Sequence, residues 1–349
     1  MSTATLRHRR NALILLLAAY LVGGAQVTAA TDTPAPQDFL RSHMDLSVDP
    51  GADFFDYANG GWLAHNPIPP AESWWGVGSL VNEQLYSSLR TINENAASSP
   101  QAAGSELQKI ADFWSTAMDT AHADSLGAHP LDSDFARIDQ AQNVRDVLDL
   151  AFAFMPLGIN VFFDISVSQD EKNSGAMALH LSQGGLGLPD RDFYFNSERG
   201  VARARREYLA HMTRVMQLLG HSAQHAQAQA RSVLSFETAL ARSSRKLEDL
   251  NDPDRNYHRI TPAVLTAKYT PSIDWSARLA VWNVHPEFVI VGQPEFYTQL
   301  QQLIRHTPVS VLRDYLRVHL LDTYASTLSR PFDEEQFRFY GQILSGKQE

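Results

Sequence analysis

The 349-residue sequence predicts a mainly α, multi-helical protein with one small β-hairpin element. Three observations point there. Apolar residues recur at helical spacing over most of the chain beyond Ser79. One stretch, residues 159–181, instead clusters β-branched and aromatic residues around a polar turn. Hydrophobic residues make up 44% of the chain and charged ones 19%, the balance of a folded globular protein able to bury a large core.

Residues 1–30 have the layout of a secretory signal. Arg7-His8-Arg9-Arg10 is basic, Ala12 to Val22 is apolar, and Val27-Thr28-Ala29-Ala30 offers small residues for cleavage. The apolar run is short for a membrane span of about 20 residues, so a cleaved signal is expected, with an uncleaved anchor as the alternative. The destination expected is the periplasm or the exterior of a bacterium. With no cysteine in the chain, export brings no disulfide, no lipoprotein cysteine and no cysteine-based covalent partner. Net charge is −10, and without the first thirty residues 26 basic residues face 39 acidic ones. No basic stripe is available for phosphates, which excludes a nucleic-acid partner.

Residues 31–43 read as a Pro-containing polar linker and residues 44–349 as the principal domain. Ser105 and Gln108 form a capping-box pattern ahead of Leu107, Ile110, Ala111, Trp114 and Met118, which share a helix face. Ile159–Val167 and Ala176–Leu181, on either side of Gln169–Asn173, form the hairpin. Gly184, Gly185 and Gly187 then mark a tight loop. They precede Leu188-Pro189 and not a lysine at a helix N-terminus, so they read as turn glycines and not a phosphate cradle. Asp190, Arg191 and Asp192 read as a local ion-pair network. Val201–Leu219 and Ser222–Leu247 are expected as two long helices broken at Gly220. Thr261-Pro262 and Thr307-Pro308 are each expected to open a helix, a short strand is expected at Phe288–Val291, and Asp333 is expected to cap the final helix.

Met44-Asp45-Leu46-Ser47-Val48-Asp49-Pro50-Gly51-Ala52-Asp53-Phe54-Phe55-Asp56-Tyr57-Ala58-Asn59-Gly60-Gly61-Trp62-Leu63, followed by Ile68-Pro69, resembles the opening signature of the neprilysin and endothelin-converting-enzyme family, which includes bacterial oligopeptidase O. The resemblance recurs at Gly185–Tyr194, at Asp322–Ser329 and at Phe339-Tyr340-Gly341, covering residues 44–349 in one order. It implies the N-terminal lobe of a zinc metallopeptidase that cuts short peptides on the amino side of hydrophobic residues. The family's zinc site needs H-E-x-x-H, whose two histidines share a helix face while the glutamate activates water, plus a downstream glutamate. This chain has no H-E-x-x-H. It is therefore expected to stop before the zinc domain, to bind no zinc itself and to be inactive alone, with catalytic and metal-ligating residues none and its substrate-binding residues unassigned. Helices lacking their partners would expose apolar surface and make it poorly soluble. Two alternatives are a stand-alone peptide-binding or pseudo-peptidase module, and one half of an enzyme whose catalytic half is separately encoded.

His221-Ser222-Ala223-Gln224-His225 has zinc-ligand spacing, but Ser222 stands where a general-base glutamate would be, and the pair reads as solvated or capping histidines. Phe54, Phe55, Tyr57 and Trp62 read as core packing. One departure bears on specificity. Where neprilysin has Ser-Arg-Tyr-Gly, with an arginine facing the substrate carboxylate, this chain has Ser73-Trp74-Trp75-Gly76, so no preference for a free peptide C-terminus is expected. Gly51 and Asn59 replace cysteines common in animal members.

Overall fold

The computed structural model describes residues 38–348, so the predicted signal and most of the linker lie outside the described residues. The described residues divide into two compact units, one ending at Ile68 and the other beginning at Pro69. In the first, helix α1 (Phe54–His65) is capped by Asp53, whose carboxylate accepts from the Asp56 amide at 3.0 Å. The Asp45 amide donates to the Tyr57 carbonyl at 2.9 Å, and a Cβ at Gly61 would lie 2.8 Å from the Met44 carbonyl. The expected aromatic core is realised only at Trp62. Phe54 and Phe55 are 69% and 63% exposed, because they occupy the first turn of α1, outside the buried helix face.

The second unit holds a continuous apolar core beneath a set of helices. Those of nine residues or more are α2 (Val77–Ala97), α3 (Glu106–Ala117), α4 (Asp132–Gln140), α5 (Val144–Phe154), α6 (Arg199–Leu218), α7 (Ala223–Ser243), α8 (Pro294–His306) and α9 (Val309–Tyr324). Trp275 is fully buried within an aromatic cluster, its ring 5.6 Å from Phe152 and 5.1 Å from Phe163. The helix pair expected around Gly220 is present. That glycine has φ +90, which an L side chain rarely adopts, and Ser222 caps α7 by accepting from the His225 amide.

The sheet runs β1-β2-β4-β3, with β1 Phe163–Asp170, β2 Asn173–Gln183, β3 His258–Ile260 and β4 Val289–Val291. β1 and β2 form the expected antiparallel hairpin, with Ile165 opposite Leu181. β2 pairs parallel with β4, and β3, absent from the sequence reading, completes the edge antiparallel to β4.

Three capping expectations are corrected in detail. Gln108 accepts from the Gly104 amide, one residue before its expected partner Ser105, although Ser105 does cap Gln108. Thr307 closes α8 by donating to the Leu303 carbonyl instead of opening α9, since only two residues separate the helices. Ser329, not Asp333, precedes the helix Arg330–Gln336, which starts a turn earlier because Pro331 suits its second position and which runs on into the π-helical turn Phe337–Leu344. Thr261 caps as expected, accepting from the Val264 amide at 3.2 Å.

The face of α2 carrying Val81, Leu85, Leu89 and Ile92 is between 44% and 58% exposed. Their spacing of four, four and three residues places them on one stripe. Phe113 of α3 is also exposed. Val81, Leu85, Leu89 and Ile92 together leave an apolar stripe exposed on α2.

Candidate functional site

Segments far apart in sequence meet at the loop Gly184–Asp190. Its inner side rests on tyrosine hydroxyls. Tyr315 donates to the Gly185 carbonyl at 2.8 Å and accepts from the Phe162 amide at 3.0 Å. Tyr340 donates to Asp322 at 2.9 Å and lies 3.4 Å from the Gly187 carbonyl. Tyr194 accepts from the Leu188 amide and donates to Glu237 at 2.9 Å, and Tyr208 donates to the other Glu237 oxygen at 3.0 Å. His319 lies 3.3 Å from Glu237. Burial, reinforced by the Glu237 charge, pushes the Tyr194 and Tyr208 phenols well up, so both stay donors.

A second cluster adjoins it. His211, fully buried, is flanked by Asp322 at 3.1 Å from Nε2 and Glu335 at 3.0 Å from Nδ1. Arg214 Nε donates to Glu335 at 2.6 Å. Burial alone would lower the His211 pKa, yet the hydrogen bonds and charges of Asp322 and Glu335 together raise it. Burial would likewise raise Glu335, but His211 and Arg214 hold it below the ordinary carboxylate range.

The glycines follow from this network. A Cβ at Gly187 would sit 1.8 Å from the Tyr208 hydroxyl, and Gly185 has φ +76 with its Cβ position 2.5 Å from the Tyr315 hydroxyl. Asp190, Arg191 and Asp192 do form a local network: Arg191 pairs with Asp192 at 2.9 Å, and Asp190 accepts from the Asp192 amide. Glu237 is fully buried and holds the loop through Tyr194, while His211, also fully buried, braces Asp322, the partner of Tyr340. What the loop offers outward is a 330 Å³ cavity lined by Asp164, Gly184, Gly185 and Leu186.

A larger cleft of 770 Å³ lies elsewhere in this unit, between the segment 124–139, the α6–α7 junction and α9. His221 and His225 line it, their ring centroids 5.4 Å apart. His221 Nδ1 is 2.6 Å from the Gln229 amide oxygen, whose amide nitrogen reaches Asp314. The expected pair therefore exists as neighbouring rings, with Ser222 spent as a helix cap. Among the described residues no three His, Asp or Glu side chains converge as a metal-ligand set. Together with the missing H-E-x-x-H, this donor set does not fit a catalytic zinc.

Three of the blocks carrying the sequence resemblance thus converge on one network: Gly185–Tyr194, Asp322 and Tyr340. Residues 50–349 match the N-terminal model described as Peptidase family M13. The chain belongs to peptidase family M13. It is 31% identical to endothelin-converting enzyme 1 of Cavia porcellus over 314 residues, covering 86% of this chain and 41% of that protein. It is 28% identical to Neprilysin-3 of Drosophila melanogaster, covering 85% of this chain and 40% of that protein. Among solved structures, the zinc metalloprotease Zmp1 of Mycobacterium tuberculosis, in complex with inhibitor, superposes with a TM-score of 0.78 at 27% identity, covering 88% of this chain and 47% of that one. The M13 chain thus spans about two fifths of the length of the curated relatives it matches.

Asp164, His211, Glu237, His319 and Glu335 were not singled out by sequence reasoning, and Asp322 entered it only as the first residue of a resemblance block. A signal existed for three of them. Glu237 continues the stripe Ala226, Ala230, Val233 and Leu240; His211 continues Ala204, Tyr208 and Val215; His319 continues Leu312 and Tyr315. A charged or titratable residue on a core stripe needs a buried partner.

Proposed function

We propose that this M13 chain is the substrate-enclosing portion of a zinc metalloendopeptidase acting on short peptides, on the amino side of hydrophobic residues, and that it has no peptidase activity without zinc-binding elements supplied in addition. The observation that carries this reading is a family match over residues 50–349 in a sequence without H-E-x-x-H, whose described residues bring no metal-ligand set together. The uncovered apolar stripe of α2 supports it, as a face suited to packing against those elements. The chain's own chemistry is then to shape the peptide's surroundings, by a loop pinned on tyrosine hydroxyls and a cavity beside it. We also propose export, on the strength of the signal-like residues 1–30.

The test is to purify the chain, measure its zinc by mass spectrometry and assay an internally quenched peptide, alone and after co-expression with the zinc-binding portion of an M13 relative. No retained zinc and no hydrolysis are expected alone, and chelator-sensitive hydrolysis is expected on co-expression. One tightly bound zinc with chelator-sensitive cleavage by the chain alone would overturn the reading. Co-expression that assembles without activity would favour a peptide-binding or pseudo-peptidase module.

A further inference from the structure

The 330 Å³ cavity is bounded by a loop whose two sides are treated differently. Gly185 and Gly187 have their carbonyls turned to Tyr315 and Tyr340, and the Leu188 amide is bonded to Tyr194. Gly184 and Leu186, which alternate with them and line the cavity, make no hydrogen bond to any described residue through either amide or carbonyl. The loop is thus held through Gly185, Gly187 and Leu188, while the main-chain groups of Gly184 and Leu186 are left available to a peptide at the cavity.

Charge in the cavity is uneven once existing partners are counted. Arg245 is spent on Glu295, at 2.5 and 3.0 Å, and on the Arg255 carbonyl at 2.7 Å. Arg191 is spent on Asp192 and lies over the Phe195 ring. The Asp164 carboxylate makes no hydrogen bond or ion pair with any described residue, although the residue is only partly exposed and the carboxyl packs against Gly184, where a Cβ would lie 2.7 Å from Cγ. Burial raises its pKa, with the His319 charge opposing. An unpartnered, partly desolvated acid favours a cationic donor over a neutral one.

We infer that the cavity between Asp164 and the loop Gly184–Leu186 is a subsite for a basic residue of an extended peptide, the loop pairing with the peptide main chain and Asp164 with the basic side chain. This rests on the reading that short peptides are the chain's ligands, and it adds the residue class that the cavity selects. Gly184 is then required twice, for its close approach to Asp164 and for leaving the peptide's path open.

The test uses the intact chain and needs neither zinc nor cleavage. Acetyl-Ala-Arg-Ala-amide and acetyl-Ala-norleucine-Ala-amide are titrated by calorimetry at neutral pH and low salt. The arginine peptide is expected to bind one per chain, about tenfold tighter than the norleucine peptide, as a charge-assisted hydrogen bond supplies. Asp164→Asn should remove that preference without lowering the melting temperature. An arginine peptide N-methylated at the arginine amide, tested on the unaltered protein, should bind more weakly. Equal affinity for the two parent peptides, a preference surviving in Asp164→Asn, or no binding of either peptide at millimolar concentration would each overturn the subsite. Such a failure leaves the peptidase reading to the co-expression assay. Conversely, binding with the expected preference alongside an inactive assembly would sink the peptidase reading and keep the subsite.

Discussion

Replacing Gly187 with alanine should disrupt the network beneath the loop, and the structure sets the size of the effect. The new Cβ would lie 1.8 Å from the Tyr208 hydroxyl oxygen and 2.5 Å from its ring carbon Cζ. Neither contact can stand, and Tyr208 is fully buried, so its ring must move into occupied core. Overpacking of this kind costs about 1–3 kcal/mol. Movement also breaks the 3.0 Å bond to Glu237, whose carboxylate is fully buried, adding about 1.5–3 kcal/mol for a hydrogen bond to a charged group. Gly187→Ala is therefore expected to lower stability by about 2.5–6 kcal/mol. Tyr208→Phe alone should cost about 1.5–3 kcal/mol by removing the same bond. The double variant decides the reasoning. Phenylalanine removes the worst collision, and the bond it lacks is already lost in Gly187→Ala, so the double variant should be no less stable than Gly187→Ala alone. Urea unfolding followed by tryptophan fluorescence at neutral pH gives all four stabilities. Costs that simply add, within about 0.5 kcal/mol, would show that Gly187 and Tyr208 do not share this contact.

Four further outcomes are expected. His211 has a folded pKa above its unfolded value of 6.5, so its contribution is full below 6.5 and is lost as pH rises through the higher folded value; the stability gap between parent and His211→Gln should shrink from pH 6 to pH 9, and a constant gap would contradict the imidazolium assignment. Glu335 has the opposite sense, its folded pKa lying below 4.5, so its contribution is present above 4.5 and lost as pH falls through the lower folded value; Glu335→Gln should cost more at pH 6 than at acid pH in the same assay. Leu85→Lys with Ile92→Glu should raise the soluble yield of the isolated chain, leave its melting temperature unchanged and weaken co-assembly with zinc-binding elements, since both residues lie on the uncovered stripe of α2. In an active assembly, Trp74→Arg should shift kcat/KM toward free-acid over amidated peptides by about tenfold, because Trp74, exposed here, carries no guanidinium for a carboxylate.

Where local chemistry governs, the sequence is legible. The hairpin around Gln169–Asn173, the break at Gly220 and the caps at Ser105 and Thr261 each follow from a few adjacent residues. Strand β3 escapes because His258-Arg259-Ile260 has no period of its own and becomes a strand only by pairing with Val289–Val291. Thr307 and Asp333 mislead because a capping residue serves whichever helix end lies nearest, and the spacing of neighbouring elements decides that. The buried network is the least legible part. Its partners are separated by up to 153 residues, as between Phe162 and Tyr315, so no window along the chain contains both ends of a bond.

The loop Gly184–Asp190 shows why the glycine pattern alone was ambiguous. Read locally, Gly184, Gly185 and Gly187 are turn residues, and at Gly185 that is correct, since φ is +76. At Gly187 the requirement is different: room for the Tyr208 hydroxyl, which in turn holds Glu237 in place. At Gly184 it is different again, because the nearest atoms belong to Asp164, on the cavity side. Three glycines in four residues therefore answer to three neighbours, two beneath the loop and one beside it. A substitution at Gly187 should act mainly on stability, while one at Asp164 should act mainly on peptide selectivity. If both proved to change stability alone, the loop would be a structural brace with no part in binding.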